Sequence, residues 1–398
     1  MAYNGVTQPR FYIDEIQYLK SIGFDFEKYY QENYNNESLQ GFQIKHTDIS
    51  DVFGLTPGIQ TNLEIPADEN GNYLKKYFID VPSLFNNLEG SNIGRYIAIL
   101  NHTLPDEGLV GNHNEQNIGI NFKWHTKEAD PTDRDEGTFI QVDRATEGIL
   151  NGSEFPINHN GSSIINFSSS SENFNPPNNM GFHRLQFHKD WGDVESIENW
   201  ANFPIGAISF GIYYDLRTPD LDLNVTTEFD GFDSVDTLGG GTLTNIRHTG
   251  SPWWYDKNGN KSEPFSVGQS TGLTKRNGRR VWSLKFSYMS DTDVFPSNFM
   301  SNNYYEHSSA DSVDTIYSNA GDLSDDTNDF RYTLEESNSF MSQVINRVGN
   351  GQRFLFQANK NNNNPDQFAI CVLDSEAFGV RQTGLRTYEF SMKIREVW

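Results

Sequence analysis

Arg386-Thr387-Tyr388-Glu389-Phe390-Ser391-Met392-Lys393-Ile394-Arg395-Glu396-Val397-Trp398 is the stretch that decides the fold. Tyr388, Phe390, Met392, Ile394 and Trp398 alternate with Thr387, Glu389, Ser391, Lys393 and Arg395. This is a period of two, in which successive side chains point to opposite faces of a strand. A chain end this regular is expected to be tied into a sheet, since free termini are generally polar and frayed.

The same alternation recurs upstream. It appears at Ile118, Ile120, Phe122 and Trp124, at Ile208, Phe210, Ile212 and Tyr214, and at Trp282, Leu284, Phe286 and Tyr288. Asn70-Gly71, Asn258-Gly259 and Asn277-Gly278 supply hairpin turns, where a positive φ is needed. The polar stretches 151–163 and 168–179 read as long loops. One helix is predicted, because Phe340, Met341, Val344, Ile345 and Val348 fall at helical spacing. Thr333 and Glu336 would form its capping box, and Gly349 or Gly351 would end it. Regular strands with long decorated loops predict an all-β chain of sandwich or barrel type.

A chain of 398 residues fits two or three domains. The expected boundaries lie near 215 and 275: a β-sandwich over 1–215, a connector or insertion over 216–275, and a β-barrel over 276–398. Hydrophobic residues make up only 35%, but 29 Phe, 18 Tyr and 7 Trp can fill a core where aliphatic side chains are sparse. The formal charge of −24 disfavours nucleic acid and anionic membrane as partners, both being negative. No apolar stretch approaches the roughly 18 residues of a membrane span. The opening Met1-Ala2-Tyr3-Asn4-Gly5 has neither the charged nor the apolar region of a signal peptide. The single cysteine, Cys371, rules out an internal disulfide framework and sits in an apolar run as a small buried hydrophobe.

The chemistry-bearing patterns are weak. His183 and His188 are an odd number of residues apart, so on one strand they point to opposite faces and share no ion. His102 and His113 lack zinc spacing. In the acidic loop 322–329, Thr327 occupies the glycine position of a calcium loop and no Glu closes it. Asp256-Lys257-Asn258-Gly259-Asn260 fails the same test. No spacing singles out a carboxylate pair for glycoside hydrolysis; Asp291 and Asp293 follow a strand and read as a turn. There is no phosphate loop or dinucleotide fingerprint. The expectation is a non-enzymatic protein without cofactor or metal.

Two clusters remain. Lys275, Arg276, Arg279 and Arg280 concentrate positive charge on a strongly negative chain, at an expected hairpin tip. They are candidate assembly contacts, docking on an acidic face of a neighbouring copy. Trp253, Trp254 and Tyr255 are a candidate platform for stacking on a glycan.

Longer stretches carry a resemblance. Arg280-Val281-Trp282-Ser283-Leu284-Lys285-Phe286-Ser287-Tyr288, followed by Asp293-Val294-Phe295-Pro296, resembles a pattern in structural proteins of tailed marine bacteriophages. So do Phe340 to Arg347, Phe354-Leu355-Phe356-Gln357, Asn364-Pro365-Asp366 and the ending Lys393-Ile394-Arg395-Glu396-Val397-Trp398. The likeness extends to Tyr213 through Trp254 and to the opening Gly5-Val6-Thr7-Gln8-Pro9-Arg10-Phe11-Tyr12-Ile13-Asp14. Arg95-Tyr96-Ile97-Ala98-Ile99-Leu100-Asn101-His102 resembles a strand of galactose-binding-like sandwiches in phage proteins.

The resemblance implies an N-terminal galactose-binding-like β-sandwich and a C-terminal β-barrel carrying one helix, the barrel being similar to that of distal tail proteins. It implies a virion component of the tail tip or baseplate, assembled in the host cytoplasm as a homo-oligomer. Its partners would be other copies of itself and other tail proteins. The competing readings are a receptor- or glycan-binding virion module that meets a host surface glycan, and a capsid decoration protein.

Overall fold

The computed structural model describes residues 6–25, 52–64, 76–82, 92–102, 119–126, 138–142, 153–159, 162–168, 180–188, 202–221, 223–228, 232–246, 278–295, 338–375 and 377–397. Strands hold 52% of them and helices 14%, so the chain is all-β, as expected.

In chain order the elements are β1 (Arg10–Asp14), α1 (Glu15–Ser21), β2 (Thr61–Glu64), β3 (Lys76–Pro82), β4 (Ile93–His102), β5 (Gly119–Thr126), β6 (Thr138–Val142), β7 (Ser153–His159), β8 (Ser162–Ser168), β9 (Met180–His188) and β10 (Asn202–Asp215). Then come β11 (Asn224–Glu228), β12 (Phe232–Asp236), β13 (Thr242–Ile246), β14 (Arg279–Ser290), α2 (Asp291–Val294) and a π-helical segment (Met341–Ile345). That segment continues into α3 (Asn346–Val348), followed by β15 (Phe354–Gln357), β16 (Phe368–Leu373), β17 (Val380–Gly384) and β18 (Thr387–Glu396).

Twelve strands form one sheet with the path β11-β14-β18-β16-β15-β1-β10-β4-β8-β7, while β17 adds to β18 and β2 to β10. A second sheet has the order β3-β9-β5-β6, and among the described residues β12 pairs only with β13. The two expected domains therefore share a sheet. β1, from the first segment, is hydrogen-bonded to β10 on one edge (Phe11 opposite Tyr214) and to β15 on the other (Phe11 opposite Phe356).

The packing follows the sheet. Phe11, Ile13, Ile212 and Tyr214 share a core with Trp282, Phe286, Phe356, Phe390 and Ile394. Phe340 is the aromatic hub, stacked 5.2 Å from Phe390 and edge-on to Phe11 and Tyr214 at 5.6 Å each. Such ring pairs contribute about 0.5–1.5 kcal/mol beyond area burial. The opposite face of the sheet buries Tyr12, Tyr96, Ala98, Ile164, Leu355 and Ile370.

The predicted helix is present and buries Phe340, Met341, Val344, Ile345 and Val348. Thr333 and Glu336 lie outside the described residues; Ser339 makes the cap, its Oγ accepting from the Ser342 amide at 3.3 Å. Gly349, at φ +56, ends the helix. The sequence reading does not anticipate α1, whose cap is Asp14. Residues 151–163, expected as a loop, contain β7 and the start of β8, paired from His159 opposite Ser162. The intervening Asn160-Gly161 is the short-range hairpin signal. Pro156 falls where the pairing of the outermost strand β7 is irregular, the position at which a sheet tolerates proline.

Candidate functional site

β18 alternates as expected, with Phe390, Met392 and Ile394 buried, but Tyr388 is only half-buried and Trp398 lies outside the described side chains. The residue that completes the buried face is Glu396. A carboxylate in register with three buried apolar side chains requires a cation and donors around it. Arg280 on β14 supplies them: Nε donates to Oε2 at 3.0 Å, Nη2 to Oε1 at 2.9 Å, and its own amide to Oε2 at 3.1 Å. The same guanidinium donates to the carbonyls of Asp366 and Phe368 and lies over the Trp282 ring. Burial lowers the Arg280 pKa, but Glu396 outweighs it and the net shift is upward.

Arg280 is therefore occupied within the chain, which corrects its expected role as a free docking cation. Its chain position looked like a hairpin tip, but it lies inside β14 between β11 and β18. Arg279 is half-buried on the same strand, opposite Glu228. Lys275, Arg276, Trp253, Trp254 and Tyr255 lie outside the described residues, as do His113 and the acidic loops 256–260 and 322–329. Of the expected basic cluster, the described residues thus include only Arg279 and Arg280. Asp293 serves a local turn, its amide donating to Ser290 Oγ at 3.2 Å. Cys371 is buried, and burial pushes its thiol pKa up.

A second polar constellation surrounds β1 and was missed in the sequence. Arg10 makes a two-pronged pair with Asp215 (2.5 and 3.0 Å), Lys360 joins the same carboxylate at 3.2 Å, and the Arg10 guanidinium stacks over Tyr213. Two residues along, the Tyr12 hydroxyl donates to Gln357 Oε1 at 2.9 Å and accepts from Asn166 Nδ2 at 3.0 Å. At the strand's end, Asp14 Oδ1 accepts from the Ile16 and Gln17 amides, capping α1. Gly211 makes this junction possible, because a Cβ there would collide with the Ile13 carbonyl oxygen and the Glu15 amide.

Burial pushes the Asp14 carboxyl up to about 7, against the hydroxyl of Ser209 and the two capping amides, which favour its anion. Tyr96, hydrogen-bonded to Ser209 at 2.7 Å, is also raised by burial. Burial pushes the His102 imidazole the other way, down to about 4. The signal for this network is the parity of Arg10, Tyr12 and Asp14, three polar-headed residues on one face of a short strand.

The third region is exposed. In β11 the first four residues face solvent, and the β12–β13 ribbon exposes Val235, Leu238 and Leu243. Val235 and Leu243 are cross-strand partners, so they form one apolar face. No group of three or more His, Cys, Asp or Glu that could hold a metal ion occurs among the described residues, and no helix among them is long and apolar enough to cross a membrane. Comparison of the chain with protein-family models, curated proteins and solved structures gave no match.

Proposed function

We propose that the chain is a non-enzymatic structural protein of a tailed bacteriophage particle, present in multiple copies at the tail tip or baseplate. What supports this reading, beside the sequence resemblance, is the contrast between a polar interior tied up in structural bonds and an exposed edge. Arg280 is paired with Glu396, Arg10 with Asp215, and Asp14 caps α1. The described surface instead offers an edge strand and a two-stranded ribbon that exposes Val235, Leu238 and Leu243, features that favour pairing with another chain.

The test is the mass and negative-stain appearance of the purified protein. A closed ring, or a shell of copies around a channel, is the expected result. A stable monomer at all concentrations would overturn the multi-copy reading and move the glycan-binding alternative to the front.

A further inference from the structure

Asparagine is a thermolabile residue, and most so before glycine, whose amide reaches the asparagine side chain with no Cβ in the way. Of the Asn-Gly pairs in this sequence, Asn350-Gly351 is the one with both residues described. It lies just past α3, between Gly349 at φ +56 and the lead into β15. Both residues are exposed. Gly351 takes φ +85, and a Cβ built on it would meet nothing within 4 Å. Among the described residues no hydrogen bond engages the Gly351 amide or the Asn350 side chain. The attacking nitrogen and its target are therefore adjacent, unshielded and untied.

The loop between β15 and β16 supplies the contrast. Asn359, Asn361, Asn362, Asn363 and Asn364 make it far richer in asparagine, yet its amides are engaged. The Lys360 amide, which follows Asn359, donates to the Gln8 carbonyl at 2.9 Å. The Asn362 amide, which follows Asn361, donates to the Asn359 carbonyl at 2.9 Å. The Asn364 amide, which follows Asn363, donates to Asn362 Oδ1 at 3.1 Å and so holds that side chain as well. Asn359 Oδ1 accepts from the Asn361 amide at 3.0 Å, and Asn363 Oδ1 from Gln357 Nε2 at 3.2 Å. Asn364 precedes Pro365, which has no amide proton to lose. Asn101 and Asn166 are buried, their side-chain amides bonded to the Pro57 carbonyl and the Tyr12 hydroxyl.

We infer that Asn350 is a site of spontaneous covalent modification, at which the folded protein converts asparagine to aspartate and isoaspartate. The Gly351 nitrogen forms a bond to Asn350 Cγ, its proton passes to the side-chain nitrogen, and that nitrogen leaves as ammonia. The five-membered succinimide so formed takes up one water and opens at either carbonyl. The step needs no other reactant, because its nucleophile and electrophile belong to neighbouring residues. The product places a carboxylate at a helix C-terminus, where the helix dipole disfavours negative charge. Isoaspartate also adds a methylene to the main chain between the Phe340 hub and β15, whose Phe354 and Phe356 pack on Phe11. Each copy thus carries a one-way record of its age.

The experiment holds the full-length protein in warm, mildly alkaline buffer, folded or in denaturant, and locates isoaspartate by peptide mapping with mass spectrometry. Asn350 is expected to convert in the folded protein within about twofold of its rate in the unfolded chain, since nothing has to open first. The sites at Asn359, Asn361 and Asn363 are expected to be roughly fivefold slower folded than unfolded, the worth of one hydrogen-bonded amide. Asn350→Gln, whose longer side chain does not close the five-membered ring, is expected to abolish the product in this peptide and leave the thermal melt unchanged. Folding that protects Asn350 as strongly as the loop would overturn the assignment. So would a folded protein in which Asn350 stays intact, or in which the loop sites convert first.

Discussion

β1 and the β11–β13 stretch are both short-stranded and rich in β-forming side chains, yet they meet opposite fates. All five residues of β1 are buried, with Phe11 and Ile13 in one core and Tyr12 in the other. From Asn224 to Thr227 and from Ser234 to Thr244 the described side chains are exposed. Composition does not separate the two, since Phe, Ile and Asp occur in the outer stretch as well. The number of neighbours does: β1 has a strand on each edge and a packed layer on each face, whereas among the described residues β12 has one strand and no layer. Strand propensity creates the ribbon, and only burial decides whether it stabilises the molecule.

The sharpest way to break this contrast is at Phe11. Phe11→Ala opens a cavity among Phe340, Phe354 and Phe356 and is expected to cost about 3–5 kcal/mol in chemical denaturation. Because β1 lies between β10 and β15, the loss should appear as one lowered transition; a second, unshifted transition would argue that the two halves of the sheet unfold independently.

Next comes Glu396→Ala, which strands Arg280 against Trp282 and two carbonyls. It is expected to cost about 2–3 kcal/mol, below the buried-pair range because the Arg280 side chain is 29% exposed. If Arg280→Met together with Glu396→Leu proved as unstable as the single change, the stranded charge would not be the cause.

An intermediate effect is expected from pH. Asp14 has a folded pKa of about 7 against an ordinary 3.8. Its contribution is therefore fully present below about 4 and is lost as pH rises through 7. His102 is depressed to about 4 from 6.5, so its contribution is present above 6.5 and is lost as pH falls toward 4. The two slopes oppose each other in one window. Asp14→Asn, which keeps a capping acceptor, is expected to leave stability rising between pH 4 and 6.5, by an amount on the order of a few kcal/mol. An unchanged pH profile in that variant would mean that Asp14 does not titrate there. The smallest effect belongs to the outer stretch, where Val235→Ser is expected to change stability by less than about 0.5 kcal/mol; a larger loss in the monomer would show that the ribbon packs on its own chain.

Much of the strand set was legible because period two survives wherever one face is buried. It gave β5, β10, β14 and β18, and period 3.6 gave the helix from Phe340. β1 was not legible as a central strand, since a strand buried on both faces has no polar–apolar rhythm to read. β7 was hidden by polar residues on an outermost strand, although Asn160-Gly161 marked its turn. The pairing of Arg280 with Glu396 spans 116 residues, beyond any local pattern, but the parity of Phe390, Met392 and Ile394 already placed Glu396 on the buried face. Charge density drew attention to Arg280 for the wrong reason: clustering in sequence says nothing about which member is already paired. The phage assignment drew on longer motifs, which no strand pattern tests.

The placement of β1 also sets a timetable. Arg10 pairs with Asp215, 205 residues later, and Tyr12 bonds Gln357, 345 residues later. At a synthesis rate of roughly 5–20 residues per second, the first partner follows by about 10–40 s and the second by about 17–70 s. During that interval Phe11, Tyr12 and Ile13 have left the ribosome with neither neighbouring strand yet made. The central strand of the finished sheet is thus the longest-waiting segment of the nascent chain, and the point at which a holding chaperone would matter most.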